Sequence, residues 1–246
     1  MRERVVGSGG TVRAQMDGEK SDPPKFGARR GMSLSARVRG ADSYGLLLLL
    51  IAASLILAAL AERSAFAQAV VLVLEGIVLL FAFWTTRAGR RPLRTALVVV
   101  PAAVLIAVVF NGSESDAAVG VVTLSSAALS LSAIGAIVRR LVAHARIDAA
   151  TILGALSAYL LIGNFFASLY AALGAFGDAS FFVSETAPSS VDFLYFSFVT
   201  MTTVGYGDLT AATDVGRMFA VTQALIGQLY LVTVVSLVIG NIGRGR

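Results

Sequence analysis

Residues 200–208 read Thr200-Met201-Thr202-Thr203-Val204-Gly205-Tyr206-Gly207-Asp208. Glycine occupies every second position of the run's end, at Gly205 and Gly207. Glycine reaches positive φ cheaply, and other residues do not. A backbone that alternates between left- and right-handed regions aims successive carbonyls to one side. Several carbonyls on one axis can stand in for the hydration shell of a cation. Thr203 adds a hydroxyl at the inner end, and Val204 and Tyr206 are expected to point away from the axis and pack behind the loop. Just before this run, Val191 to Thr202 reads as a short helix with Asp192 in its first turn, where negative charge suits the helix dipole. The C-terminal end of that helix carries partial negative charge and favours a cation at the same place. One motif supplies one wall of a ring, and four copies of the chain close it into a homotetramer.

On both sides of this region the chain is apolar. Hydrophobic residues make up 57% of the 246, and charged residues only 14%, where a soluble domain carries about 25%. Lipid is therefore the expected solvent for most of the chain. Six apolar segments can be traced, at about Tyr44–Ala61, Ser64–Trp84, Thr95–Phe110, Ala117–Val138, Ala149–Leu173 and Met218–Ile242. Most approach or exceed the ~20 residues a helix needs to cross the hydrocarbon. The third is short and holds Pro101, with Arg94 placed to snorkel toward the headgroups. The fold expected is an all-α membrane protein of six transmembrane helices. A re-entrant pore helix and filter loop would lie between the fifth and sixth.

Charge sets the orientation. Arg87, Arg90, Arg91 and Arg94 follow the second segment, Arg139, Arg140 and Arg146 the fourth, and Arg244 and Arg246 the sixth. The loops on the other side carry Glu62 with Arg63, then Glu114 with Asp116, then Asp178, Glu185, Asp192, Asp208 and Asp214. Basic loops stay in the cytoplasm, so both termini are expected inside and the glycine motif outside. The same pattern accounts for the net charge of +5 and argues against nucleic acid as a partner. Residues 1–40 are polar, basic and broken by Pro23-Pro24, the composition of a disordered cytoplasmic tail. The Ala-, Arg- and Leu-rich composition suits a bacterial plasma membrane. The chain has no cysteine and a single histidine, His144, so neither a disulfide nor a zinc site of the usual kind is expected.

The nine residues from Thr200 to Asp208 resemble the signature of the tetrameric potassium channels without a departure. The resemblance covers about Ala149 to Ile242. It implies that the filter is Thr203, Val204, Gly205, Tyr206 and Gly207, with K+ bound by the carbonyls of Thr203, Val204, Gly205 and Tyr206. Thr202, Asp208 and Tyr195 would support it, and no cofactor is implied beyond the permeant ion. Gly227 falls where the family often has a hinge glycine, although close helix packing explains such a residue equally well. Leu231, Val235 and Ile239 share its helix face and are gate candidates, with Gln228 near the cavity. Two departures stand out. Leu209-Thr210-Ala211-Ala212 replaces a stretch in which relatives often have proline. Tyr195 and Phe196 stand where relatives often carry tryptophans, and of these only Tyr195 can donate a hydrogen bond.

The expected domains are the tail 1–40, a four-helix membrane domain 41–138, a cytoplasmic linker 139–148 and a pore domain 149–246. Six spans with the filter before the last resemble the voltage-gated branch. The fourth span, however, carries no charge, and Arg139 and Arg140 stand adjacent at its inner end. One charge crossing 100 mV gives only about 2.3 kcal/mol, so a sensor needs several. Little intrinsic voltage dependence is expected. Glu75 lies near the middle of the second span, and an intramembrane carboxyl is a functional candidate by default. The plainer reading makes it a hydrogen-bond partner of Ser125, Ser126, Ser130, Ser132 or Asn164. His144, in the basic linker, lies at headgroup level or senses pH. The sequence ends four residues after the sixth span, which points regulation to the first four spans, the tail, lipid or a partner. No nucleophile–base pair or metal cluster accompanies the spans, so an enzyme is not expected. The alternative to a conducting subunit is a modulatory one that assembles with other pore-forming chains.

Overall fold

The computed structural model describes residues 34–60, 65–86, 98, 102, 105, 116–143, 149–184 and 186–242. Six helices follow in chain order: α1 (Leu34–Leu60), α2 (Ala65–Thr86), α3 (Asp116–Ala143), α4 (Ala149–Phe176), α5 (Ser190–Met201) and α6 (Asp214–Ile242). Among the described residues the only extended pairing is an isolated antiparallel bridge between Phe182 and Ala211. Among the described residues, three helices are long and apolar enough to cross a membrane, over Val119–Val142, Ala149–Phe176 and Asp214–Val234. Shorter apolar helical runs occupy Ser43–Ala58, Val73–Thr85 and Ser190–Met201. The chain is thus an all-helical protein with the character of a membrane protein. Of the expected third span only Val98, Ala102 and Leu105 are described, each helical and exposed. The tail up to residue 33, His144 and Arg146 fall outside the described residues.

Helix ends differ from the sequence reading in ways that local chemistry explains. Helix α1 begins at Leu34, inside the segment assigned to the tail, because Leu34-Ser-Ala-Arg-Val-Arg contains good helix formers and no proline. Helix α3 continues through Arg139 and Arg140 to Ala143 and so absorbs half of the expected linker. Basic side chains suit a helix C-terminus, and Arg139 Nε donates to the Gly135 carbonyl at 3.1 Å. Helix α6 starts at Asp214 rather than Met218 because Thr213 caps it, its Oγ1 accepting from the Gly216 N–H at 3.1 Å.

Two apolar cores hold the helices. In the first, Leu47 and Ile51 of α1 meet Val78, Leu79 and Phe83 of α2, Leu129 and Ile137 of α3, and Leu161 of α4. The three- and four-residue spacing of these positions puts each set on one helix face. The second core is aromatic and surrounds α5. Phe166 and Tyr170 of α4 pack with Phe181 and Phe182 of the following loop and with Phe193 and Phe196 of α5. Ring centroids of Phe182 lie 5.2 Å from Phe193 and 5.3 Å from Phe196, within the range of favourable aromatic pairs.

The inner helix α6 meets α5 at Gly227. A Cβ built there would lie 2.7 Å from Met201 Cγ and 2.8 Å from the Met201 carbonyl oxygen. Met201 is the last residue of α5, so the absent side chain is what lets the two helices touch at that point. The run on the other side of α6, including Met218, Val221, Leu225, Leu229 and Val232, is exposed, with no cover from the described residues. We expect Gly227→Ala to overpack this crossing and to cost about 1–3 kcal/mol of stability. Thermal unfolding of the purified protein checks this. An unchanged melting temperature would show that this crossing tolerates a methyl group and would contradict the packing reading of Gly227.

Candidate functional site

The site is a short extended strand hung from the C-terminal end of α5. The helix itself begins with a capping box. The Ser189 N–H donates to Asp192 Oδ2 at 2.7 Å, and Ser189 Oγ accepts from the Asp192 N–H at 3.4 Å. Its interior is fixed by a buried polar chain that crosses three helices. Tyr170 of α4 donates its hydroxyl to Gln223 Oε1 of α6 at 2.7 Å. Gln223 Nε2 donates to Ser197 Oγ of α5 at 2.6 Å and to the Ser197 carbonyl at 3.0 Å. Ser197 Oγ in turn donates to the Gly163 carbonyl of α4 at 2.7 Å. Tyr170, Gln223 and Ser197 are fully buried, so the network is dry and completely paired, the condition under which such a network rigidifies a core.

At the end of α5 the first amides of the motif turn back onto the helix. The Thr202 N–H donates to the Phe198 carbonyl at 2.9 Å, Thr203 to Thr200 at 3.1 Å, and Val204 to Val199 at 3.0 Å. Beyond that point the backbone alternates. Positive φ occurs at Thr203 (60°), Gly205 (56°) and Gly207 (82°). Thr203 is the only non-glycine with positive φ among the described residues, and for a β-branched residue that conformation is an outlier. Among the described residues, no hydrogen bond ends on the carbonyls of Thr203, Val204, Gly205, Tyr206 or Gly207. Residues 202–208 are all exposed on the single chain.

The outer end is tied down as firmly as the inner one. Tyr195 donates its hydroxyl to Asp208 Oδ2 at 2.8 Å. Its ring lies parallel to that of Tyr206, with a 4° interplanar angle and centroids 6.3 Å apart. Ser184 Oγ donates to the Asp208 carbonyl at 2.9 Å. The Val183 N–H donates to the Thr210 carbonyl at 3.0 Å, and Ala212 donates to Phe181 at 2.9 Å, flanking the Phe182–Ala211 bridge. Arg217 Nε donates to the Ala211 carbonyl at 3.0 Å. The strand is therefore held at both ends, and the Gly205 N–H reaches back to the Val199 carbonyl at 3.4 Å, while its own carbonyls stay unpaired among the described residues.

Residues 155–243 match the protein family described as ion channel. The chain is also 43% identical over 72 residues to the two pore potassium channel c of Oryza sativa subsp. japonica. That match takes in 29% of this chain and 14% of the plant protein. Its plant origin argues against the bacterial source that composition suggested. The similarity extends the motif's message to the segment around it, and it does so on the helices that carry the strand.

The predicted site residues are distributed as follows. Thr203 to Gly207 form the strand, and Thr202 caps α5 with its Oγ1 donating to the Phe198 carbonyl at 2.7 Å. Asp208 and Tyr195 pair at the outer end. Val204 and Tyr206 are 53% and 71% exposed. Tyr206 has the Tyr195 ring beside it, while the packing expected behind Val204 is not supplied by this chain. Gly227 faces Met201, and Leu231 is exposed. The side chains of Val235 and Ile239 fall outside the described residues. Gln228 is exposed, and the buried polar residue of the helix is Gln223, which the sequence reading passed over. Its signal was an amide four residues before Gly227, on the same helix face as that glycine. Glu75 stands apart from the strand, with Asn164 Nδ2 donating to its Oε1 at 3.1 Å and to Ser130 Oγ at 2.9 Å.

The Tyr195 hydroxyl, by donating to Asp208, holds that carboxyl below the usual carboxylate range. A depressed folded-state value means the contact stabilises the loop fully above the ordinary carboxylate value of ~3.9. The contribution is lost as pH falls through the lower, folded value. We expect Tyr195→Phe to move the acid-induced loss of outer-loop structure to higher pH. Tyrosine and tryptophan fluorescence followed during acid titration of both forms checks this.

Proposed function

We propose that the chain is one subunit of a potassium-selective channel, in which four copies arrange their 203–207 strands around a common axis. The observation that carries this reading is the alternation of φ at Thr203, Gly205 and Gly207, on a strand whose carbonyls have no donor among the described residues. Alternate residues in the left-handed region turn successive carbonyls toward one side. Main-chain oxygens so arranged replace water around a dehydrated cation. Irregular backbone at membrane depth is tolerated where it lines a cavity and is enclosed by protein. The uncovered faces of α6 and of the strand supply the surface on which neighbouring copies would close that cavity. The C-terminal dipole of α5 favours the cation.

In this reading K+ is bound by the carbonyls of Thr203, Val204, Gly205 and Tyr206, with the Thr203 hydroxyl at the inner end. Gly207 completes the alternation, and Thr202, Tyr195 and Asp208 brace the two ends. The inner end is closed by an apolar constriction at Leu231, Val235 or Ile239. The protein lies in the plasma membrane with both termini in the cytoplasm, as its arginine-rich loops require. Conduction has little intrinsic voltage dependence, because α3 carries no basic residue before Arg139. A chain of this kind has no catalytic role.

The test is a reversal-potential measurement on the purified protein in a planar bilayer, with potassium and sodium on opposite sides. A reversal potential near the potassium equilibrium value is expected, together with a conductance that rises only shallowly with voltage. A potential near zero contradicts selectivity. Electrical silence from an intact tetramer contradicts conduction and favours the modulatory subunit.

A further inference from the structure

Behind the pore helix lies a crevice of about 640 Å³ between α3, α4 and the outer end of α5, a size in the range of small-molecule sites. It is open because the α4 face that lines it is made of small residues, Ala167, Ser168, Ala171, Gly174 and Ala175. These recur at three- and four-residue spacing, the period of one helix face. Its mouth is formed by the loops around Asp178 and Thr186–Ser190, with Asp116 at the start of α3. Its inner end is formed by Glu75 and Asn164. Along α4, Asn164 lies about 18 Å from the helix end at Phe176, at 1.5 Å per residue.

The chemistry of the lining selects an occupant. Val119, Val122, Ala167, Ala171, Phe193 and Leu194 give apolar walls, and Ser126 Oγ meets Ser168 Oγ at 3.0 Å between α3 and α4. Three acidic residues line the crevice, at Glu75, Asp116 and Asp178, and among the described residues no Lys, Arg or His does. The acidic groups do not converge, since no cluster able to hold a metal ion occurs among the described residues. At the inner end Glu75 Oε1 accepts from Asn164, the Ser126 side chain is a second polar neighbour of the carboxyl, and among the described residues no hydrogen bond ends on the buried Oε2. A buried acceptor without a donor is costly. A second void that touches Glu75 measures only about 10 Å³, room for one water at most, so the crevice is the larger space open beside this carboxyl.

We propose that this crevice binds an amphipathic organic ammonium ion, whose charged head donates to Glu75 and whose apolar body lies between α3 and α4 against Phe193 and Leu194. The site is independent of whether the strand conducts. It adds to the four-helix domain a ligand seat that touches the helix carrying the filter.

Binding of adamantylammonium to the purified full-length protein tests the proposal, with adamantanol as the neutral probe of the same shape. Isothermal titration is expected to show saturable binding of the ammonium ion and at least tenfold weaker binding of the alcohol. Glu75→Gln should weaken the ammonium ion at least tenfold and leave the alcohol unchanged. Ala171→Phe, which fills the crevice wall and keeps Glu75, should abolish both. Equal affinity for the two probes, unchanged affinity in Glu75→Gln, or no saturable binding to the wild type overturns the proposal. If Glu75→Gln does not fold, undiminished ammonium binding by Ala171→Phe overturns it alone.

Discussion

A row of peptide carbonyls from Thr203 to Gly207 finds no hydrogen-bond donor among the described residues, and most of the surrounding structure serves to hold that row in place. Backbone acceptors removed from water are almost always paired. Among the described residues no donor pairs with these carbonyls. The conformation is also strained at Thr203, whose φ of 60° costs of order 1–3 kcal/mol for a residue that is not glycine. Such a conformation persists only when its neighbours over-determine it. The Thr203 amide is fixed to the Thr200 carbonyl and the Val204 amide to Val199, so the helix end dictates where the strand begins. At the far end Asp208 is gripped twice, by Tyr195 through its carboxylate and by Ser184 through its carbonyl.

The position of α5 is in turn set by two different kinds of packing. The aromatic core around Phe166, Phe181, Phe182, Phe193 and Phe196 supplies burial without direction. The polar chain from Tyr170 through Gln223 and Ser197 to the Gly163 carbonyl supplies direction, because each bond has one geometry that satisfies it. Close contact at Gly227 then brings α6 against the last residue of α5. Three helices thus converge on the residue from which the strand departs.

Much of this was legible in the sequence. Gly205 and Gly207 announced the alternation, and the apolar runs placed α3, α4 and α6 close to where they lie. Helix ends were less legible, because capping is local. Thr213 draws the start of α6 outward past a charged residue that hydropathy alone treats as a boundary. Gln223 was not legible as a structural residue, since its partners Tyr170 and Ser197 are 53 and 26 residues away in sequence. Gly227 carried two readings, and the distance to Met201 gives physical content to the packing one. Glu75 also carried two. The structure supplies Asn164 as a partner for one of its oxygens, and among the described residues no hydrogen bond ends on the other. Val204, expected to pack behind the loop, is exposed on the single chain.

The similarity to ion channels over residues 155–243 falls on α4, α5 and α6, the helices that build the strand's support. The first three helices pack on α4 through an ordinary apolar core and carry no row of basic residues. The central claim is that the main-chain oxygens of 203–206 face a shared axis and hold monovalent cations there. Anomalous diffraction from crystals of the assembled protein grown with thallium in place of potassium tests it most directly. Discrete peaks on the axis, within coordination distance of those carbonyls from every copy, are predicted. An axis without peaks, or carbonyls turned away from it at saturating thallium, would contradict the claim.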